Sequence, residues 1–132
     1  MNKRGVMVSV VIAAGLAVAL GVSLTSGAQQ EELDPVKILP QYNKVILENA
    51  FVRVSEERMP PGVGIAKHFH RRGVTVNMGN FQMEQKMYPG GQIVHSDRHL
   101  GDINWNDPMI HETKNVGTTP QWTVRVELKV GG

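Results

Sequence analysis

Beyond residue 40 the chain is broken by turn formers roughly every 8–12 residues. The strongest of them are Met59-Pro60-Pro61-Gly62, Pro89-Gly90-Gly91, Gly101-Asp102 and Gly117-Thr118-Thr119-Pro120. That spacing leaves no room for a long helix, and no stretch there carries the apolar repeat of one. Between the breakers lie short alternating runs: Phe81, Met83 and Met87 in one, and Trp122, Val124, Val126, Leu128 and Val130 in the last. Successive strand side chains point to opposite faces, so such runs read as strands. Strands are expected over 44–47, 51–55, 65–70, 74–78, 81–87, 92–100, 103–105, 111–116 and 122–130. The fold class is therefore all-β, a small antiparallel sandwich or barrel. Such a barrel has room inside for side chains or one small ligand.

The N-terminus stands apart from this pattern. Met1-Asn2-Lys3-Arg4-Gly5 is a positive start, Val6 to Leu24 is uncharged and mostly apolar, and Ser26 and Ala28 are small residues at the −3 and −1 positions of a cleavage site. This order reads as a secretory signal peptide over residues 1–28, cut before Gln29, and implies a periplasmic or secreted protein. The rival is an uncleaved anchor, because the apolar run is long enough to span a bilayer. A membrane partner is expected only in that case. Residues 29–43 form a polar, acidic, proline-bearing arm, and residues 44–130 form the domain.

Fourteen Lys and Arg stand against twelve Asp and Glu, and losing Lys3 and Arg4 with the signal balances them. No basic run in the remainder is longer than Arg71-Arg72, so no nucleic-acid partner is expected. The chain has no cysteine. That excludes disulfides, thiol catalysis and cysteine-ligated zinc or iron–sulfur centres.

Chemistry is concentrated in Gly62-Val63-Gly64-Ile65-Ala66-Lys67-His68-Phe69-His70 and in Pro108-Met109-Ile110-His111-Glu112-Thr113-Lys114-Asn115. On a strand, His68 and His70 share a face. With His111 from a neighbouring strand they make the smallest three-ligand metal site that keeps open positions. The divalent candidates are Fe, Mn, Zn, Ni and Cu, since all accept neutral imidazole.

These two segments resemble the paired motifs of the cupin superfamily, small β-barrels of the double-stranded β-helix or jelly-roll type. Gly62, five residues, then His68 and His70 match the first motif. Gly101, Pro108, His111 and Asn115 match the second. The stretch from Val45 to Val54, the turn Leu100-Gly101-Asp102-Ile103-Asn104-Trp105 and the turn Asn115-Val116-Gly117-Thr118-Thr119-Pro120 also resemble small single-domain bacterial cupins. The first-motif glutamate of the family falls near Val74 or Thr75, neither of them a carboxylate. Asn77, Gln85 and Glu84 are the candidates to replace it. The resemblance further implies that Ser96 and Arg98 face the interior, where Arg98 would meet an anionic substrate.

A second cluster, His95, Asp97 and His99, also shares one strand face and competes as a metal site. The resemblance instead turns these three to solvent. Met59, Met78, Met83, Met87 and Met109 suggest either soft copper ligation or, more simply, filling of an irregular interior. Trp105 and Trp122 are expected to line the cavity or anchor the core.

The function implied is an exported cupin-type barrel that binds a divalent metal through three histidines and a small molecule beside it. Three histidines without a carboxylate suit an iron-dependent dioxygenase-like oxidoreductase. The alternative is a metal-free, non-catalytic cupin that binds a small molecule or carbohydrate, and a third reading is a structural barrel acting as a homodimer. The residues do not decide whether the protein is an enzyme.

Overall fold

The computed structural model describes residues 27–129. Residues 1–26, which hold most of the expected signal segment, and residues 130–132 lie outside the described residues.

Two short helices, α1 (Gly27–Glu32) and α2 (Pro35–Ile38), precede the strands β1 (Asn43–Glu48), β2 (Val52–Met59), β3 (Gly64–His70), β4 (Gly73–Asn77), β5 (Phe81–Tyr88), β6 (Ile93–Arg98), β7 (Ile103–Asn106), β8 (Met109–Asn115) and β9 (Gln121–Leu128). They form a five-stranded sheet, β1-β2-β9-β4-β7, and a four-stranded sheet, β3-β8-β5-β6, with every pairing antiparallel. Apart from β1-β2 and β5-β6, neighbours in each sheet are not consecutive in the chain, which is the crossover pattern of a jelly roll.

Glycine is required at Gly62 and Gly73, for different reasons. Gly62 has φ +81° and turns the chain from Met59-Pro60-Pro61 into β3. At Gly73 a Cβ would stand 2.0 Å from the Val126 carbonyl oxygen, so only glycine lets β4 lie against β9 there.

The last strand has two unlike faces. Gln121, Thr123 and Glu127 are buried and, with Arg125, point inward, whereas Trp122, Val124, Val126 and Leu128 lie on the outer face. Val126 pairs there with Val54 of β2 and Val74 of β4, and Val74 pairs in turn with Trp105. Ile103 and Trp105 extend this apolar face and are 71% and 59% exposed. Both tryptophans are therefore outside the barrel, contrary to the sequence expectation. Trp122 donates its indole N–H to Glu56 Oε1 at 2.8 Å, under the Arg58 guanidinium.

The interior is correspondingly polar. Among the strands, buried apolar side chains are Met59, Ile65, Phe69, Phe81 and Met83. More than twice as many polar or charged ones are buried, His68, His70, Asn77, His111, Asn115 and Gln121 among them. Burying polar groups is unfavourable unless they find partners.

Residues 29–43 are more than a linker. Asp34 caps α2 by accepting the Val36 N–H at 3.0 Å, and Pro35 opens the helix. The same carboxylate pairs with Arg53 Nη1 at 2.7 Å. Leu33 accepts the Phe69 N–H at 2.8 Å, and Phe69, on the outer side of β3, lines a cleft with Gln30, Asp34 and Pro35. The arm thus covers the back of the strand that carries His68 and His70.

Candidate metal centre

A β-bulge sets up the first two histidines. Ile65 pairs with Thr113 and His68 with His111, so three steps on β3 match two on β8. The extra residue lets Ile65, His68 and His70 all turn inward, where each is buried. It also aims the Ala66 carbonyl at His68, whose Nδ1 donates to it at 2.8 Å.

His111 stands directly across β8 from His68. The ring centroids lie 4.5 Å apart for His68 and His111, 4.8 Å for His68 and His70, and 5.2 Å for His70 and His111. Each histidine offers a nitrogen, and these nitrogens all lie within 4.8 Å of one another.

Every Nδ1 is engaged from behind. Besides the Ala66 carbonyl on His68, Glu127 Oε1 lies 3.0 Å from His70 Nδ1, and Gln85 Nε2 lies 3.1 Å from His111 Nδ1. A carbonyl or ionised carboxylate at Nδ1 fixes the proton there and leaves Nε2 with a free lone pair. The Gln85 amide can serve His111 by either end: its NH2 group keeps the imidazole proton on Nε2, while its oxygen draws the proton to Nδ1. The Nε2 atoms of His68 and His111 are buried and have no partner.

Burial also fixes the charge state. It pushes the His68 imidazole down to about 4, against a contribution from the Ala66 carbonyl that favours protonation. It pushes His111 down to about 2, reinforced by His68 and Arg125, and holds His70 well below the ordinary histidine range. All three are neutral at physiological pH, which is the form that ligates metals. Neutral, converging, oriented imidazoles with orphaned Nε2 atoms fit a divalent transition metal.

The histidines open onto a cavity of about 140 Å³. Arg98 of β6 and Arg125 of β9 line it, as do Glu57, Asn77, Asn104 and Gln121. Among the replacements considered for the missing glutamate, Asn77 and Gln85 line this cavity. Glu84 is turned away and pairs with His95 Nε2 at 2.9 Å. Val74 is on the outer face, while Thr75 lines the cavity and accepts from Asn106 Nδ2 at 2.9 Å. Met83, Met87 and Met109 also line the cavity, and Met59 is fully buried.

The competing cluster does not converge. His95, Asp97 and His99 are exposed, alternating with the half-buried Ser96 and Arg98. Asp97 accepts from Gln82 Nε2 at 2.9 Å instead. Asn115, from the second motif, is a brace. It is fully buried, donates to the carbonyls of Met59 at 3.1 Å and Thr119 at 2.8 Å, and accepts from the Gly117 N–H at 3.1 Å.

Glu127, Glu57 and Arg125 escaped the sequence reading. Their signal was present: Thr123, Arg125 and Glu127 alternate on β9 as regularly as the valines between them. The apolar stripe drew attention, but the polar stripe faces the histidines.

The chain is similar to solved structures of cupin domains. One, a cupin domain from Bordetella pertussis Tohama I, is 28% identical with a TM-score of 0.61, over 67% of this chain and 92% of that one. Another, an uncharacterised conserved protein with a double-stranded β-helix domain from Klebsiella pneumoniae, is 25% identical with a TM-score of 0.52, over 64% and 72% of the two chains. A cupin superfamily protein from Desulfitobacterium hafniense shares the fold at 11% identity, with a TM-score of 0.50 over 65% of this chain and 74% of that one. No protein-family model and no curated protein matches the chain. Fold and site together define a jelly-roll barrel with three buried histidines positioned to bind a metal.

Proposed function

We propose that this chain is an exported cupin that holds one divalent transition metal on His68, His70 and His111 and binds a small molecule beside it. The observation that carries this reading is the pair of buried, unpartnered Nε2 atoms on His68 and His111, grouped with His70. Leaving a buried polar atom unpaired costs about 1–3 kcal/mol, and a bound metal would remove that cost. With only three protein ligands, such a metal supplies Lewis acidity and open coordination positions. The protein's own part is to orient the imidazoles through Ala66, Glu127 and Gln85, and to hold the small molecule among Asn77, Asn104 and Gln121. If the chain is an enzyme, an iron-dependent dioxygenase-like oxidoreductase is the class that three histidines without a carboxylate suit.

Elemental analysis of untagged protein from its native compartment tests the metal. Stoichiometric Fe, Mn, Zn, Ni or Cu is expected. Protein that carries none and takes up none on titration would overturn the reading in favour of a metal-free binding barrel. Export rests on the order of positive start, apolar run and small-residue site before Gln29. N-terminal sequencing of fractionated cells tests it, with soluble periplasmic protein starting near Gln29 as the expected result.

A further inference from the structure

The wall of the cavity that carries Arg125 has a charge imbalance the protein does not resolve. Arg125 Nη1 is buried and has no hydrogen-bond partner. Among the described residues no carboxylate lies within ion-pair distance of the Arg125 guanidinium, and none pairs with Arg98, whose Nε donates to Ser96 Oγ at 3.1 Å. Glu57 and Glu127 favour the Arg125 charge from a distance, but their hydrogen bonds go to other groups: Glu57 accepts from Gln121 Nε2, and Glu127 serves His70 and the Arg71 N–H. Two guanidiniums, one carboxylate and three neutral imidazoles line one small cavity. A metal on the histidines would add further positive charge. Buried charges need counter-charges, and one carboxylate does not balance two guanidiniums.

We infer that Arg125, with Arg98 beside it, forms a carboxylate-binding subsite, and that the molecule the barrel holds is a short-chain carboxylate. The guanidinium is planar and offers paired N–H donors that match a carboxylate edge, which a spherical or neutral ligand does not exploit. The cavity volume of about 140 Å³ equals roughly five water volumes, which suits an acid of about two to four carbons. The amides of Asn77, Asn104 and Gln121 would meet its remaining oxygens. This inference deepens the reading of the interior as a ligand site and assigns its substrate class. It does not require that the metal be bound.

The test uses metal-free mature protein, so that its failure and a failure of the metal reading are separate results. Malonate and lactate are titrated by calorimetry against their neutral amides, malonamide and lactamide. Binding of at least one acid is expected, with its amide weaker by about tenfold or more, because an amide cannot supply the missing charge. Arg125→Gln should weaken the bound acid about tenfold or more, and Arg125→Lys should recover only part of it, since lysine restores charge without the fork. Ni²⁺ affinity at the histidines should not fall in Arg125→Gln, because Arg125 is not a ligand and its positive charge in the same cavity opposes a bound cation. Acids that bind no better than their amides, or that bind Arg125→Gln as tightly as wild type, overturn the inference. So does a failure of both acids to bind. If the Arg125 variants do not fold, Arg98→Gln and the acid–amide comparison on the wild-type protein decide it.

Discussion

Glu127 Oε1 sits 3.0 Å from His70 Nδ1, although the two residues lie on strands of different sheets. The carboxylate of this site therefore stands behind a histidine instead of beside the metal position. This gives the missing first-motif glutamate a physical sequel: a carboxyl group is still present, but it acts through the imidazole. Glu127→Ala is expected to lower metal affinity by about 10–100-fold, the usual effect of removing such a support, with the fold intact. Competition against a chromophoric chelator measures it. Unchanged affinity would mean that His70 needs no partner to hold its orientation.

His68→Ala combined with His70→Ala should abolish metal binding while circular dichroism keeps the β spectrum. The strands are held by ladder hydrogen bonds that these side chains do not make, and removal takes away the unpartnered buried Nε2 of His68. A double variant that retains full metal occupancy would move the ligands elsewhere. One that fails to fold would give the pair a structural role.

Much of this architecture was legible in the sequence, because turn formers and two-residue alternation are local signals. The expected strands at 65–70 and 81–87 differ from β3 (Gly64–His70) and β5 (Phe81–Tyr88) by a residue at one end. Which face of a strand meets the interior was not legible. On β9 the apolar stripe suggests a core, yet Trp122 and Val124 lie outside and Arg125 and Glu127 inside. A barrel whose interior is a polar cavity inverts the usual reading of alternation, and only contact with the other sheet, as between Glu127 and His70, settles the direction. The arm was illegible for a different reason. Its helices are a turn or two long, too short for a periodic signal, and they depend on tertiary contacts such as Asp34 with Arg53.

Acid should destabilise the metal-free protein in a defined window. His68 titrates near 4 in the folded state and His111 near 2, whereas both titrate near 6.5 when unfolded. As pH falls through about 6.5 the unfolded chain takes up protons that the folded chain refuses, so stability is lost from there toward pH 4. For His68 the loss is on the order of 1–3 kcal/mol. Thermal melts across this range in chelator, compared with His111→Ala, check the origin. The variant should lose part of the slope.

Glu57 carries the opposite sign. Burial raises its carboxyl to about 7, against the opposing pull of Arg125 and the Gln121 hydrogen bond. The folded chain then holds a proton that the unfolded chain releases near 4.5, so stability is lost as pH rises from about 4.5 to 7. Glu57→Gln keeps an acceptor for Gln121 and removes the titration. In chelator at pH 8 it should be more stable than wild type by on the order of 1–3 kcal/mol, and at pH 4 the two should match. Equal melting at both pH values would place Glu57 in water instead of the barrel interior.

The second motif divides its labour between His111 and Asn115, and the last prediction separates the two. Asn115 ties together three stretches of backbone, at Met59, Thr119 and Gly117, from a fully buried position. Asn115→Ala would leave two carbonyls and one N–H without their partner. At about 1–3 kcal/mol for a buried group left unsatisfied, and with partial rescue by water, the total loss should be about 2–4 kcal/mol. Denaturant melts measure that loss. The histidines lie on neighbouring parts of β3 and β8 and keep their own supports at Ala66, Glu127 and Gln85. The folded fraction of Asn115→Ala should therefore bind metal with unchanged affinity, whereas His111→Ala should do the reverse and lose metal with a smaller loss of stability. A variant at Asn115 that stays as stable as wild type but loses metal would show that the asparagine belongs to the site itself.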